Sequence, residues 1–235
     1  MTVNSIKLNH GWGYFYRINT DRLPGLAHNG FSNLQQYLIG VGKNCHEDIF
    51  QSGPRSSALR FDLGINTQEI VGHQISKLAK IALANYNGTP HDKVQACALD
   101  SDPAAIGVEV PIWLKPTDLV GMPVSKEILD RIFADGEVLT GHIDLLAVED
   151  GNIWIWDFKP RAHKERYATT QVFFYALMLA KRAGLSLEKF RCGYFDEERA
   201  YLFKPTLSVI TTGPDTANKV CGRHAFGVGN VDGKK

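Results

Sequence analysis

Two spacings of apolar positions divide this chain, a period of two in some stretches and a helical period in others. The period of two is clearest from Val138 to Lys159. There VLTGHIDLLAV is followed by the turn Glu149-Asp150-Gly151-Asn152 and then by IWIWDFK, and Asp-Gly flanked by apolar runs is a strong hairpin signal. With the turn centred on Asp150 and Gly151, Val148 faces Ile153, Leu146 faces Ile155 and Asp144 faces Asp157. Helical spacing of Val71, Ile75, Leu78, Ala82 and Tyr86 predicts a helix that Asn66 caps, with Glu69 as the reciprocal acid. Asn87-Gly88-Thr89-Pro90 ends it. A second helix runs from about Glu165 or Thr169 to Ala183 and is closed by Gly184, with Lys181 and Arg182 matching its C-terminal dipole.

The remaining segments fill in around these. Ile106 to Trp113 reads as a strand with Glu109 among apolar neighbours, and Pro111 favours an edge or a strand end. Lys115 to Gly136 is an excursion in which Ser125 caps a helix through Phe133. Phe190–Phe195 and Ala200–Phe203 form a last hairpin around Asp196 to Arg199. The first 60 residues are less legible: a strand is expected near Gly-Trp-Gly-Tyr-Phe-Tyr and a short helix from Ser32 to Ile39. Gly40, Gly42, Gly53 and Pro54 then mark an irregular stretch. Gly42-Lys43 does not end a phosphate-binding loop, because Tyr37 stands where the loop glycine is required. The order of helices and strands indicates an α/β domain with a mixed sheet.

Composition changes this picture little. The 235 residues suit one large domain, and 44% hydrophobic with 22% charged residues is ordinary for a soluble globular chain. No apolar run approaches the roughly 20 residues of a membrane span, and no secretory signal is visible at the amino terminus. Cys45, Cys97, Cys192 and Cys221 contain no C-x-x-C pair, which disfavours a zinc ribbon. Cys221 and His224 lack the partners for a metal cluster. Reduced thiols and a cytoplasmic location are the expectation. The net charge is +1, but it is unevenly spread. Lys159, Arg161, Lys164, Arg166, Lys181, Arg182, Lys189 and Arg191 face only Glu165 and Glu188, which makes either a solvated helix face or a phosphate-attracting patch.

The chemistry concentrates on the central hairpin. Alternation puts Asp144, Asp157 and Lys159 on one face, inside strands otherwise built from Ile, Leu, Val and Trp. Two adjacent carboxylates in apolar surroundings repel, and a divalent cation would relieve the conflict. A structural ion pair with Lys159 is the competing explanation. Glu109 is open to the same two readings, a solvated edge carboxylate or part of a site. His73 is a lone helical histidine, more often a packing residue than a ligand.

The ordered set Gly141-x-x-Asp144, Asp157-x-Lys159 and Gln171-x-x-x-Tyr175 resembles the PD-(D/E)XK nucleases, in particular their RecB-like and CRISPR-associated exonuclease branch. Glu109 in Val-Glu-Val-Pro matches the acid of the preceding strand, and the likeness runs on to Ala-Tyr-Leu-Phe-Lys-Pro. It covers about residues 66–205. The resemblance implies a restriction-endonuclease-like core with a mixed central β-sheet flanked by helices. It leaves residues 1–65 as an irregular, partly helical extension packed on that core and 206–235 as a partly mobile tail. It further implies a metal-dependent deoxyribonuclease, an exonuclease of DNA repair, recombination or phage- and CRISPR-related processing, acting on single- or double-stranded DNA. Mg²⁺ or Mn²⁺ would be held by Asp144, Asp157, His73 and the Phe158 carbonyl. Lys159 would be the catalytic lysine beside Glu109, and Gln171, Tyr175, Arg161, Lys164 and Arg166 would meet substrate. Many relatives hold an iron–sulfur cluster by one early and three late cysteines. Here only Cys192 and Cys221 are late and they are far apart, so no cluster is expected. No helicase motif is present, so a motor would be a separate chain. A non-cleaving nucleic-acid-binding module and a hydrolase of small phosphate esters are the competing functions.

Overall fold

The computed structural model describes residues 2–11, 13–133 and 138–211. Trp12 and most of the expected tail, with Cys221 and His224, lie outside them. The chain begins with β1 (Val3–Asn9), β2 (Gly13–Asn19), α1 (Leu23–His28), α2 (Ser32–Asn44) and the short α3 (Ile49–Ser52). Next come β3 (Gln68–Val71), α4 (Gln74–Asn85), α5 (Pro90–Ser101), β4 (Ala105–Val108) and β5 (Val110–Leu114). The excursion holds α6 (Lys126–Ile132), and the central hairpin is β6 (Leu139–Ile143), β7 (Leu145–Glu149) and β8 (Asn152–Phe158). Then follow α7 (Ala168–Ala183), β9 (Phe190–Phe195), β10 (Arg199–Phe203) and α8 (Ser208–Thr211). None of the described helices is long and apolar enough to cross a membrane.

Eight strands form one mixed sheet in the order β1-β2-β4-β7-β8-β9-β10-β3, and β5 pairs with β6 beside it. This is the α/β, restriction-endonuclease-like arrangement that the sequence predicts. The central hairpin has the expected register, with Val148 opposite Ile153 and Leu146 opposite Ile155. Asp150 and Gly151 have φ of 50° and 69°, the positive values that a two-residue type I′ turn needs at both positions. Only β8 and β9 run parallel among these ladders. Parallel neighbours need a crossover, and α7 supplies it.

Alternation along β7 and β8 sorts their side chains between two cores. Leu146, Ile153 and Ile155 meet Val172, Phe173, Ala176 and Leu179 of α7. Leu145, Ala147, Trp156 and Phe158 meet Ile75, Ala79 and Ala82 of α4 and Val94 and Ala98 of α5. From Ala168 to Ala180 every side of α7 is buried, as befits a helix between the sheet and further layers. Each fully buried Leu, Ile or Phe contributes about 1.5–3 kcal/mol relative to exposure, so α7 is a rigid support.

The structure corrects the reading of the first third. Gln68–Val71 is not helix but edge strand, with Glu69 opposite Tyr201 and paired to Arg199 at 2.7 Å. Gly72 turns the chain at φ 67°, and the helix starts only at Gln74. Its alternating Gln-Glu-Ile-Val also satisfies a strand, and the open edge of β10 decides between the two. α2 continues through Gly40 and Gly42 to Asn44. A Cβ at Gly42 would come within 2.9 Å of Ile6 on β1, so that glycine serves close packing rather than a break. β2 pairs with β4 through Arg17 and Val108 and with β1 along its length, so both amino-terminal strands are hydrogen-bonded into the sheet.

Candidate active site

Two strands are interrupted side by side. Glu109 separates β4 from β5 and Asp144 separates β6 from β7. Beyond the break Val110 faces Ile143, and before it Gly107 faces Leu146. Glu109 sits at φ 52°, a left-handed conformation that costs a non-glycine residue on the order of 1–3 kcal/mol and is concentrated at functional sites. The break turns both carboxylates out of the ladders and toward Asp157. Pro111 fits β5 because that strand pairs only with β6 among the described strands, leaving its other edge free of a ladder.

Gly141 makes room for this. A Cβ there would lie 2.6 Å from Tyr175 Cε1 and 2.8 Å from Ser56 Oγ, so α7 can approach β6 only over a glycine. The approach brings Gln171 and Tyr175, four residues apart on one face of α7, onto the acids. Gln171 Nε2 donates to Asp157 Oδ1 at 3.2 Å and to the Tyr175 hydroxyl at 2.7 Å. Lys159 Nζ stands 2.8 Å from Asp157 Oδ2, and the Phe158 N–H donates to Asp144 Oδ2 at 3.1 Å. Gln95 of α5 donates to Glu109 Oε1 at 2.6 Å and accepts from Arg17 at 2.9 Å. The structure thus brings Glu109, Asp144, Asp157, Lys159, Gln171 and Tyr175 around one cavity of about 180 Å³.

Burial and repulsion shape the charges. Burial, then Asp157 and Glu109, hold the Asp144 carboxyl well above the usual carboxylate range, against Lys159 and the Phe158 N–H. Burial also raises Glu109, against its hydrogen bond from Gln95 and the charge of Arg17. Burial alone would lower Lys159, but Asp157 and Asp144 outweigh it and keep the ammonium above its ordinary value. Tyr175 is raised by burial and by both aspartates and stays a neutral hydroxyl.

His73 is elsewhere. It caps α4, its Nδ1 accepting from the Ile75 N–H at 3.3 Å, and its ring lies 5.5 Å from Trp156. Trp156 and Asp157 project to opposite faces of β8, so His73 lines a different cavity with Trp154 and Trp156. The histidine at the acids is His91, with Nε2 3.6 Å from Asp144 Oδ2. Burial lowers its pKa, opposed by Asp157. Thr89 and Asp92 form a reciprocal capping box with Pro90 in the first turn, which fixes His91 at the mouth of the site. That signal is readable in Thr89-Pro-His-Asp92, but the same residues also read as the end of the preceding helix. Lys164 and Arg166 line an adjoining cavity with Lys159 and Gln171. Arg161 is exposed at φ 66° before a short 3-10 turn and lines neither cavity.

The donors suit a hard cation. Asp157 is buried, and its Oδ2 meets the Lys159 ammonium at 2.8 Å. Among the described residues no three His, Cys, Asp or Glu side chains form a ready-made cage. Mg²⁺ needs none, since it commonly takes one or two carboxylates and completes its shell with water and substrate phosphate. Asp144 and Asp157 are the residues that could hold it. A sequence model of the PD-(D/E)XK nuclease superfamily matches residues 73–219, more than half of the chain. No curated protein and no solved structure matches.

Proposed function

The chain belongs to the PD-(D/E)XK nuclease superfamily, and on that premise we propose that it hydrolyses DNA phosphodiester bonds with Mg²⁺ or Mn²⁺, as an exonuclease. The observation that carries the reading is the pairing of Asp144 with the buried Asp157 around one cavity, with Lys159 Nζ 2.8 Å from Asp157 Oδ2. A structural ion pair needs one acid, not two side by side. Asp144, Asp157 and the Phe158 carbonyl would hold the metal, with His91 beside Asp144 in the role the resemblance gives to His73. When bound, the cation polarises a phosphoryl oxygen and makes water more acidic.

The protein groups divide the remaining work. Lys159, held as an ammonium by the two aspartates, orients the attacking water and offsets charge developing on the phosphate. Gln171 holds Asp157 in one rotamer and is itself fixed by Tyr175. Gln95 and Arg17 do the same for Glu109, which stands at the cavity as a further acid. The likeness to the RecB-like exonucleases is what favours exonuclease action.

Asp157→Asn and Lys159→Ala are expected to lower metal-dependent cleavage of linear DNA at least about 100-fold, the low end for a lost group that stabilises transition-state charge, while circular dichroism stays unchanged. Mn²⁺ binding by calorimetry should disappear in Asp157→Asn and persist in Lys159→Ala. Wild-type rates in both variants would overturn the site, and salt-dependent DNA binding without turnover under either metal would overturn the nuclease reading.

A further inference from the structure

The segment from Pro54 to Phe61 precedes the span that matches the family, yet it walls the site. The Thr140 N–H donates to the Pro54 carbonyl at 2.9 Å, Arg55 bridges to Thr140, and Arg55 Nη2 donates to the His10 carbonyl at 2.6 Å. Ser56 is buried under Gly141. Pinned to the strand that leads into Asp144, this segment stands opposite Lys164–Tyr167. Between them runs a groove of about 330 Å³ lined by Ser57, Arg60, Lys164, Arg166 and Tyr167. It shares Ser57, Lys159 and Gln171 with the cavity of the acids, so the two are continuous.

Three features of the groove point to one ligand. Arg60, Lys164 and Arg166 are exposed and form no ion pair among the described residues, so their charge is free for an outside anion. Arg60 is held in place by the Ser57 and Leu59 carbonyls, each at 2.9 Å. The Arg166 guanidinium lies 5.6 Å from the Tyr167 ring, pairing a cation with an aromatic face as single-strand binding sites do. In a duplex the base faces are stacked on their neighbours, so an aromatic platform such as Tyr167 suits the exposed bases of a single strand. We propose that this groove seats the nucleotides flanking the scissile phosphate of a single DNA strand, with Arg60 and Arg166 on its phosphates and Tyr167 under a base, and that it makes the protein select single-stranded over duplex DNA. The proposal rests on reading the site as a nuclease, and its test separates the two.

Fluorescence anisotropy of the full chain in EDTA would compare a labelled oligo-dT strand with a blunt duplex of equal length, over a salt series. The single strand should bind at least tenfold more tightly. Arg60→Ala/Arg166→Ala should reduce the slope of log K against log salt by about 1.4, since each lost single-strand contact removes about 0.7. Tyr167→Leu should weaken binding about tenfold without changing that slope. Equal or tighter duplex binding, or an unchanged slope in the double variant, overturns the proposal. Single-strand binding with these signatures but no cleavage under Mg²⁺ or Mn²⁺ supports the groove and removes the nuclease reading. Cleavage by wild type with an unaltered slope in the double variant does the reverse.

Discussion

Single residues carry most of the information about the site, and they differ in how openly they announce it. Asp144, Asp157 and Lys159 are legible because a two-residue turn fixes their register, so arithmetic from Asp150 and Gly151 places them together. His91 is not legible in this way, because its place depends on α5 packing across the sheet. Nor does the sequence disclose His10, which is fully buried with Nδ1 2.7 Å from His142 Nε2 and its ring stacked on Phe50 at 3.8 Å. Burial lowers the His10 pKa to about 4, with Glu47 opposing and Arg55 assisting. His142 and the Cys45 thiol complete its surroundings. A histidine depressed in the folded state takes up its proton only on unfolding, so stability is full above the unfolded pKa of about 6.5 and falls as pH drops toward 4. The loss is about 3 kcal/mol. Thermal melts from pH 7.5 to 4 should show this decline in wild type, and a shallower one in His10→Phe, which keeps the stack on Phe50.

Among elements, local signals decided what could be read. The Asp-Gly hairpin, α7 with Gly184 at its end and α6 after Ser125 all declare themselves through turn or cap chemistry, and each has the expected limits within a few residues. Ser125 Oγ does accept the Ile128 N–H, at 3.3 Å. Gln68–Val71 misleads because four residues with an acid and two β-branched neighbours fit a helix start as well as a strand, and the deciding partner lies 130 residues on, where Glu69 meets Arg199. α5 is obscured because its capping box begins where the previous helix stops. On the proposed function that box has a second part, since it holds His91 beside Asp144. Thr89→Ala should lower stability by about 1 kcal/mol and reduce cleavage as His91 loses its fixed place. Thr89→Ser should restore both, as denaturant melts and nuclease assays on the two variants would show.

For the whole molecule, the non-local pairings are what the sequence withholds. The order β1-β2-β4-β7-β8-β9-β10-β3 joins β2 to a strand about 90 residues away, where Ile18 meets Gly107, and no periodicity within either stretch encodes that meeting. Its result is that Arg17, on β2, reaches the acid of the kinked strand through Gln95. The same kink has a consequence for how the sheet opens. Glu109 and Asp144 end both ladders at one level, so no strand-to-strand hydrogen bond ties β5–β6 to β4–β7 in a single continuous ladder. β5 and β6 are therefore free to behave as a separate cooperative unit, held mainly by side-chain packing. Native-state hydrogen exchange should find the amides of Val110–Leu114 and Leu139–Ile143 opening together, with a free energy distinct from that of β7, β8 and β9. A common opening energy for all five strands would show one unit instead. The two acids stand on the seam, where the sheet can loosen around a substrate without unfolding the strands that hold Asp157 and Lys159.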